Sequence, residues 1–108
     1  MKVLLIGVGY WGSKLLERLK RLPSAPDVVA ADPKITAVCL ERPDVMELLR
    51  GSVAFGPYQA ALKMNPRIDA CIVATPISTH YEIVKACLEA GKHVLVEKPL
   101  AKTVQEAQ

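Results

Sequence analysis

Four short runs, at residues 3–6, 28–31, 70–74 and 94–96, are apolar at every position and show no polar–apolar alternation. A strand with one face in water alternates; a run this short and apolar throughout reads as a strand covered on both faces, as in a parallel sheet. Parallel neighbours need crossovers, so the intervening chain has to supply helices. It does. After Gly12, Leu15, Leu16, Leu19 and Leu22 fall on one side of a 3.6-residue period, with Lys14, Glu17, Arg18 and Arg21 elsewhere, until Pro23 blocks continuation.

A second helix is marked at both ends: Thr79 and Glu82 have capping-box spacing, Ile83, Val84, Cys87 and Leu88 follow, and Gly91 closes it. Shorter helices are expected from Pro43 to Gly51 and from Pro57 to Met64, with a brief edge strand at 52–55 between them. Residues 34–41 fit either an extension of the second strand or a short helix. Strand and helix thus alternate about five times, which predicts an α/β, three-layer, doubly wound parallel sheet of Rossmann type, with five strands in one domain spanning 1–108.

Composition narrows the function. At 108 residues with 51% hydrophobic content the chain has enough material for one core, but no apolar run approaches the length of a membrane span. A soluble cytoplasmic protein is expected. The net charge of +3 is small, and Lys14, Arg18, Lys20 and Arg21 share their helix with Glu17, a solvated face rather than a nucleic-acid surface. Cys39, Cys71 and Cys87 have no metal-ligand spacing and read as free thiols in a reducing compartment. No metal is expected.

In a doubly wound sheet, ligands gather beyond the carboxyl ends of the strands. The first strand is followed by Gly7-Val8-Gly9-Tyr10-Trp11-Gly12 opening a helix. In such a motif the first glycine makes a tight turn, the second lets a pyrophosphate approach the backbone, and the third brings helix and strand together. Free amides and the positive end of the helix dipole then face the phosphates. Asp32 ends the second strand, where a carboxylate accepts from the adenosine ribose hydroxyls and repels a 2′-phosphate; as Asp32-Pro33 it also suits a plain turn. This favours NAD over NADP, with the neighbouring Lys34 as the residue able to receive a 2′-phosphate. Tyr10 and Trp11 are unusually bulky for a turn; Trp11 is in register with Leu15 and Leu22, so it either packs on the sheet or borders the nicotinamide end of the groove.

Gly7 to Gly12, Asp69-Ala70-Cys71-Ile72-Val73-Ala74-Thr75-Pro76, Thr79-His80 and Ala90-Gly91-Lys92-His93-Val94-Leu95-Val96-Glu97-Lys98-Pro99-Leu100 together resemble the cofactor domain of the glucose-fructose oxidoreductase and inositol dehydrogenase family, Gfo/Idh/MocA. The resemblance spans the chain, and the Glu-Lys-Pro block is its most specific part. It implies that Gly7, Gly9 and Gly12 cradle the pyrophosphate, Asp32 holds the adenine ribose, and Thr75, Pro76 and His80 line the dinucleotide groove. It also implies that Glu97 and Lys98 sit under the nicotinamide, with Lys98 as the catalytic proton relay. A lysine beside a positively charged nicotinamide has a lowered pKa, which suits that task. The Gly-Tyr-Trp-Gly version resembles relatives that act on nucleotide-linked amino sugars.

The resemblance further implies a second α/β domain carrying the substrate pocket, which these 108 residues do not contain. Two functions follow. One is the cofactor half of an oxidoreductase acting on a secondary alcohol of a sugar, cyclitol or nucleotide-sugar. The other is a stand-alone nucleotide-binding or regulatory module without catalysis. Retention of Glu97-Lys98-Pro99 favours the first. Apolar surface on the fifth strand and the helices beside it predicts self-association, as a homo-oligomer or with another chain.

Overall fold

The computed structural model describes residues 1–96, so Glu97, Lys98 and Pro99 lie outside the described residues. The elements run β1 (Lys2–Ile6), α1 (Tyr10–Lys20), β2 (Asp27–Ala31), α2 (Ile35–Glu41), α3 (Pro43–Leu48), β3 (Val53–Phe55), α4 (Tyr58–Met64), β4 (Ala70–Val73), a 3₁₀ turn (Ile77–Thr79), α5 (His80–Glu89) and β5 (His93–Val96). All four strand pairings are parallel, and the sheet order is β3-β2-β1-β4-β5.

The period-2 geometry of β1 sends Leu4 and Ile6 to one face and Leu5 to the other, so two cores form. On one face Leu4, Ile6, Cys71 and Val73 meet Ala61 of α4 and Ile83 and Cys87 of α5. On the other, Leu5, Val28 and Ala30 meet Leu16 of α1 and Val45 of α3. Helices on both faces of a parallel sheet complete the three layers expected. The undecided segment 34–41 is helical: Ile35, Val38 and Cys39 of α2 pack against the second core, which gives β-branched residues of modest helix propensity a buried side to follow.

Two local expectations are corrected. Trp11 does not pack on the sheet; it is 59% exposed, because α1 begins at Tyr10 and its first turn stands beyond the carboxyl edge of the strands. Leu22, with which it was in register, follows the end of α1 and is also exposed. The Thr79–Glu82 capping box does not form either. Thr79 has helical-region backbone angles (φ −101°, ψ −9°) rather than the extended ones an N-cap needs, and it makes no side-chain cap bond. Its hydroxyl turns back to the Pro76 carbonyl oxygen at 2.7 Å.

The other end of α5 closes as the glycine predicts. Gly91 has φ +77°, its N–H donates to the Leu88 carbonyl at 3.0 Å, and the Lys92 N–H donates to the Cys87 carbonyl at 3.1 Å. That is the paired bonding of a Schellman motif, and the positive φ is what demands glycine.

Candidate dinucleotide groove

β1 is the switch point, with β2 leaving on one side and β4 on the other, so the loops after β1 and β4 diverge and leave a crevice. The backbone holds those loops level. The Gly7 N–H donates to the Ala31 carbonyl at 2.7 Å, Ala74 to Ile6 at 2.8 Å, and Asp32 to Phe55 at 3.0 Å.

Each motif glycine meets a different constraint. Gly7 has φ +96°, and a Cβ on it would lie 2.8 Å from the Ala74 carbonyl oxygen. A Cβ on Gly12 would overlap the Gly7 carbonyl oxygen, so only hydrogen there lets α1 start directly above the turn. Gly9 is the opposite case, since a Cβ there would meet nothing within 4 Å among the described residues. Its bare backbone faces open space, where a ligand can approach. The first intrahelical bond of α1 runs from the Ser13 N–H to the Gly9 carbonyl at 2.9 Å, so the amides of the preceding turn point outward. That turn holds no acidic residue to compete for an anion.

Asp32 closes the far side of the turn with both carboxylate oxygens. Oδ2 accepts from the Val8 N–H at 2.8 Å and Oδ1 from the Lys34 N–H at 2.8 Å. Each oxygen keeps a second lone-pair direction for a ligand hydroxyl. The turn reading of Asp32-Pro33 is therefore present in the molecule, and it is compatible with ligand binding.

A groove of about 720 Å³ opens between these loops, within the range of small-molecule sites. Of the residues singled out in the sequence, Gly7, Gly9, Asp32, Thr75 and Pro76 line it, as does Lys34. Gly12, Tyr10, Trp11 and His80 are not among its lining residues, and Glu97 and Lys98 lie outside the described residues. His80 is 3% exposed, with Nε2 2.7 Å from the Thr75 carbonyl oxygen. Tyr10 and Trp11 stand at the outer rim of α1, their rings edge to face with centroids 5.4 Å apart. The Lys14 ammonium lies 4.2 Å from the Tyr10 ring centroid and donates to its hydroxyl at 2.8 Å. That hydrogen bond, then the charge of Lys14, lowers the Tyr10 phenol below its ordinary pKa.

The sequence reading missed Gly56, Pro57, Tyr58 and Gln59 after β3, and Thr79, Glu82 and Ile83 on the α5 side. The signal for the first group was present as a Gly-Pro pair following a strand, at the end of the sheet where ligands gather. Burial first, and the Glu82 carboxylate second, push the Tyr58 phenol upward.

A second cavity, about 450 Å³, lies at the opposite end of the sheet among Met1, Leu19, Leu22, Ile72 and Leu95. It is formed almost wholly of hydrocarbon, and a dinucleotide needs amide donors for its phosphates, so it is the wrong cavity for that ligand. Among the described residues no group of acids, histidines and cysteines is placed to hold a metal ion. No helix among them is long and apolar enough to cross a membrane.

A family model described as an oxidoreductase family with an NAD-binding Rossmann fold matches residues 1–108. Inositol 2-dehydrogenase from Rhodococcus erythropolis is 34% identical over 102 residues, which cover 93% of this chain and 28% of that protein. The dTDP-3,4-didehydro-2,6-dideoxy-alpha-D-glucose 3-reductase from Streptomyces antibioticus is 39% identical over 82 residues, 72% of this chain and 25% of that protein. Among solved structures, a 3-ketoreductase from Actinomadura kijaniata in complex with TDP-benzene and NADP superposes with a TM-score of 0.79 at 27% identity, covering 99% of this chain and 32% of that one. The chain spans less than a third of the length of each of these three relatives.

Proposed function

From the premise that this chain belongs to the Gfo/Idh/MocA oxidoreductase family and is its NAD-binding Rossmann domain, we propose that it serves hydride transfer between a nicotinamide cofactor and a secondary alcohol of a sugar, cyclitol or nucleotide-sugar. The observation that carries the reading is the open backbone at Gly9 facing a groove with the Asp32 carboxylate on its wall. A side chain at position 9 would fill the approach, and no packing among the described residues requires glycine there.

Gly7, Gly9 and the outward amides of α1 hold the pyrophosphate, with Gly12 permitting the helix to start close enough. Asp32 receives the adenosine ribose hydroxyls, and its charge favours NAD over NADP. Lys34, on the same wall, is the cation that a 2′-phosphate would use. Thr75 and Pro76 wall the half of the groove reached from β4, with His80 behind them, and Tyr10 and Trp11 border its rim. When bound, the nicotinamide supplies the hydride acceptor. Glu97 and Lys98, outside the described residues, are the groups that the family resemblance assigns to the nicotinamide, and Lys98 would move the proton of the substrate hydroxyl. The substrate walls belong to a second domain, as the relatives' greater length supports. Self-association uses the apolar face of β4 and β5 that includes Ile72 and Leu95, the latter 63% exposed.

Titration of the protein with NADH and NADPH tests the cofactor reading. Saturable binding of NADH, with weaker binding of NADPH, is expected. Binding of neither refutes the assignment of the groove, and preference for NADPH refutes the weight given to Asp32 over Lys34.

A further inference from the structure

The β4 wall of the groove is held in an unusual way. The ladder between β1 and β4 runs to the Ala74 N–H, which donates to the Ile6 carbonyl. Past that point comes Pro76, which has no N–H to give. Backbone bonding to β1 therefore stops where the groove begins, and other groups fix Thr75. One is His80, buried at the start of α5, whose Nε2 is 2.7 Å from the Thr75 carbonyl oxygen. A carbonyl only accepts, so Nε2 carries the proton and donates it. The other is Thr79, whose hydroxyl is 2.7 Å from both the Thr75 hydroxyl and the Pro76 carbonyl oxygen. Thr75 in turn touches the glycine turn: a Cβ on Gly7 would lie 3.0 Å from its Cγ2.

We infer that His80 is a positioning residue for the dinucleotide: it acts through the Thr75 carbonyl, holding the Thr75-Pro76 wall in place for the nicotinamide half of the ligand, rather than by touching the ligand. This rests on the proposed function of the groove. In a doubly wound sheet the two halves of a dinucleotide lie on opposite sides of the switch point. Asp32 follows β2 and takes the adenosine side, so the wall after β4 meets the nicotinamide side. Loss of the His80 bond therefore affects one half of the ligand and leaves the other alone. A general loss of folding would weaken both.

The test compares His80→Leu, His80→Asn and His80→Gln with the wild type, measuring affinity for NADH and, separately, for ADP. Glutamine places an amide donor near the position of Nε2, asparagine falls short of it, and both are polar, so this pair holds even where the leucine variant fails to fold. Removing a buried donor from its carbonyl has a cost equivalent to about tenfold or more in an equilibrium constant, so NADH should bind about tenfold more weakly to the asparagine and leucine variants. ADP affinity should stay within about twofold, and glutamine should restore most of the NADH affinity. Equal losses for ADP and NADH, no loss in any folded variant, or no difference between glutamine and asparagine overturns the positioning role while leaving the groove assigned. A wild type that binds ADP but not NADH overturns both this role and the proposed function.

Discussion

Replacing Asp32 by alanine tests more than a ribose contact. Val8 is wholly buried, and its N–H donates to Asp32 Oδ2 at 2.8 Å. With the carboxylate gone, that part-buried amide loses its partner at the groove wall, at a cost of up to about 1–3 kcal/mol that falls as groove water replaces the bond. The second bond, from the Lys34 N–H, is exposed, so water replaces it at little cost. For a domain of this size the loss lowers the melting temperature by about 4–8 °C for each kcal/mol, measured with no ligand present. Asparagine retains one acceptor oxygen, enough for the Val8 amide, so Asp32→Asn should fall between the alanine variant and the wild type. Cofactor binding separates the ideas further. If Asp32 only held the ribose hydroxyls and repelled a 2′-phosphate, Asp32→Ala would gain NADPH affinity as it loses NADH affinity. If Asp32 also braces the glycine turn, both affinities fall, because the pyrophosphate cradle loosens for either ligand. Differential scanning fluorimetry and fluorescence titration read the two effects independently. A ligand-free Asp32→Ala protein that melts with the wild type, combined with a gain in NADPH affinity, would falsify the bracing role.

Gly9→Ala and Gly12→Ala should fail in different ways: the first keeps its melting temperature near that of the wild type and loses dinucleotide binding, while the second forces a Cβ onto the Gly7 carbonyl and loses about 1–3 kcal/mol of stability in urea titration. Equal stability of the two variants would contradict the packing described. Of the three thiols, Cys39 is half-buried while Cys71 and Cys87 are buried against each other. Their hydrogen bond first, and burial second, push the Cys71 thiol upward, while the same bond lowers that of Cys87; burial keeps a reagent from both, so a disulfide reagent should titrate one thiol rapidly in the native protein and all three in denaturant. Removing Lys14 as methionine should move the Tyr10 titration to higher pH in ultraviolet absorbance, since Lys14 is what lowers it. The difference should shrink in high salt because both groups are exposed; a Tyr10 midpoint unmoved by Lys14→Met refutes the contact.

The sheet was legible because burial on both faces leaves a plain mark: each apolar run from residue 3 to residue 96 became a strand. Segment 34–41 was not, because its residues favour neither state and the choice is made by the second core, which is a tertiary fact. Trp11 misled for a related reason. Helical register tells which side of a cylinder a residue occupies but not whether the sheet extends that far, and here the first turn of α1 stands above the strand ends. At the groove, Gly7, Gly9, Asp32, Thr75 and Pro76 were found because each follows a strand in a pattern with a mechanism. Tyr58, Glu82 and Ile83 reach the same groove from helices, and only the sheet order β3-β2-β1-β4-β5 brings those helix starts to it.

The groove walls are locked in pairs rather than set singly. Gly7 is turned against Ala74 and Thr75, Gly12 sits on Gly7, Val8 is tied to Asp32, and Thr75 is tied to His80 and Thr79. Each pair joins segments that follow different strands or opposite ends of one turn, so no loop moves alone. The ordering of these loops therefore belongs to folding and is not charged to the ligand, which is how preorganisation raises affinity without adding contacts. It also explains why a weak local motif works here. Three glycines make a turn in many proteins, whereas this turn is braced on the β2 side by a carboxylate and on the β4 side by a threonine. The bracing fixes where the open backbone of Gly9 points. Substitutions at Asp32 or His80 are thus expected to reach a ligand through the turn and the wall, at positions neither side chain needs to touch.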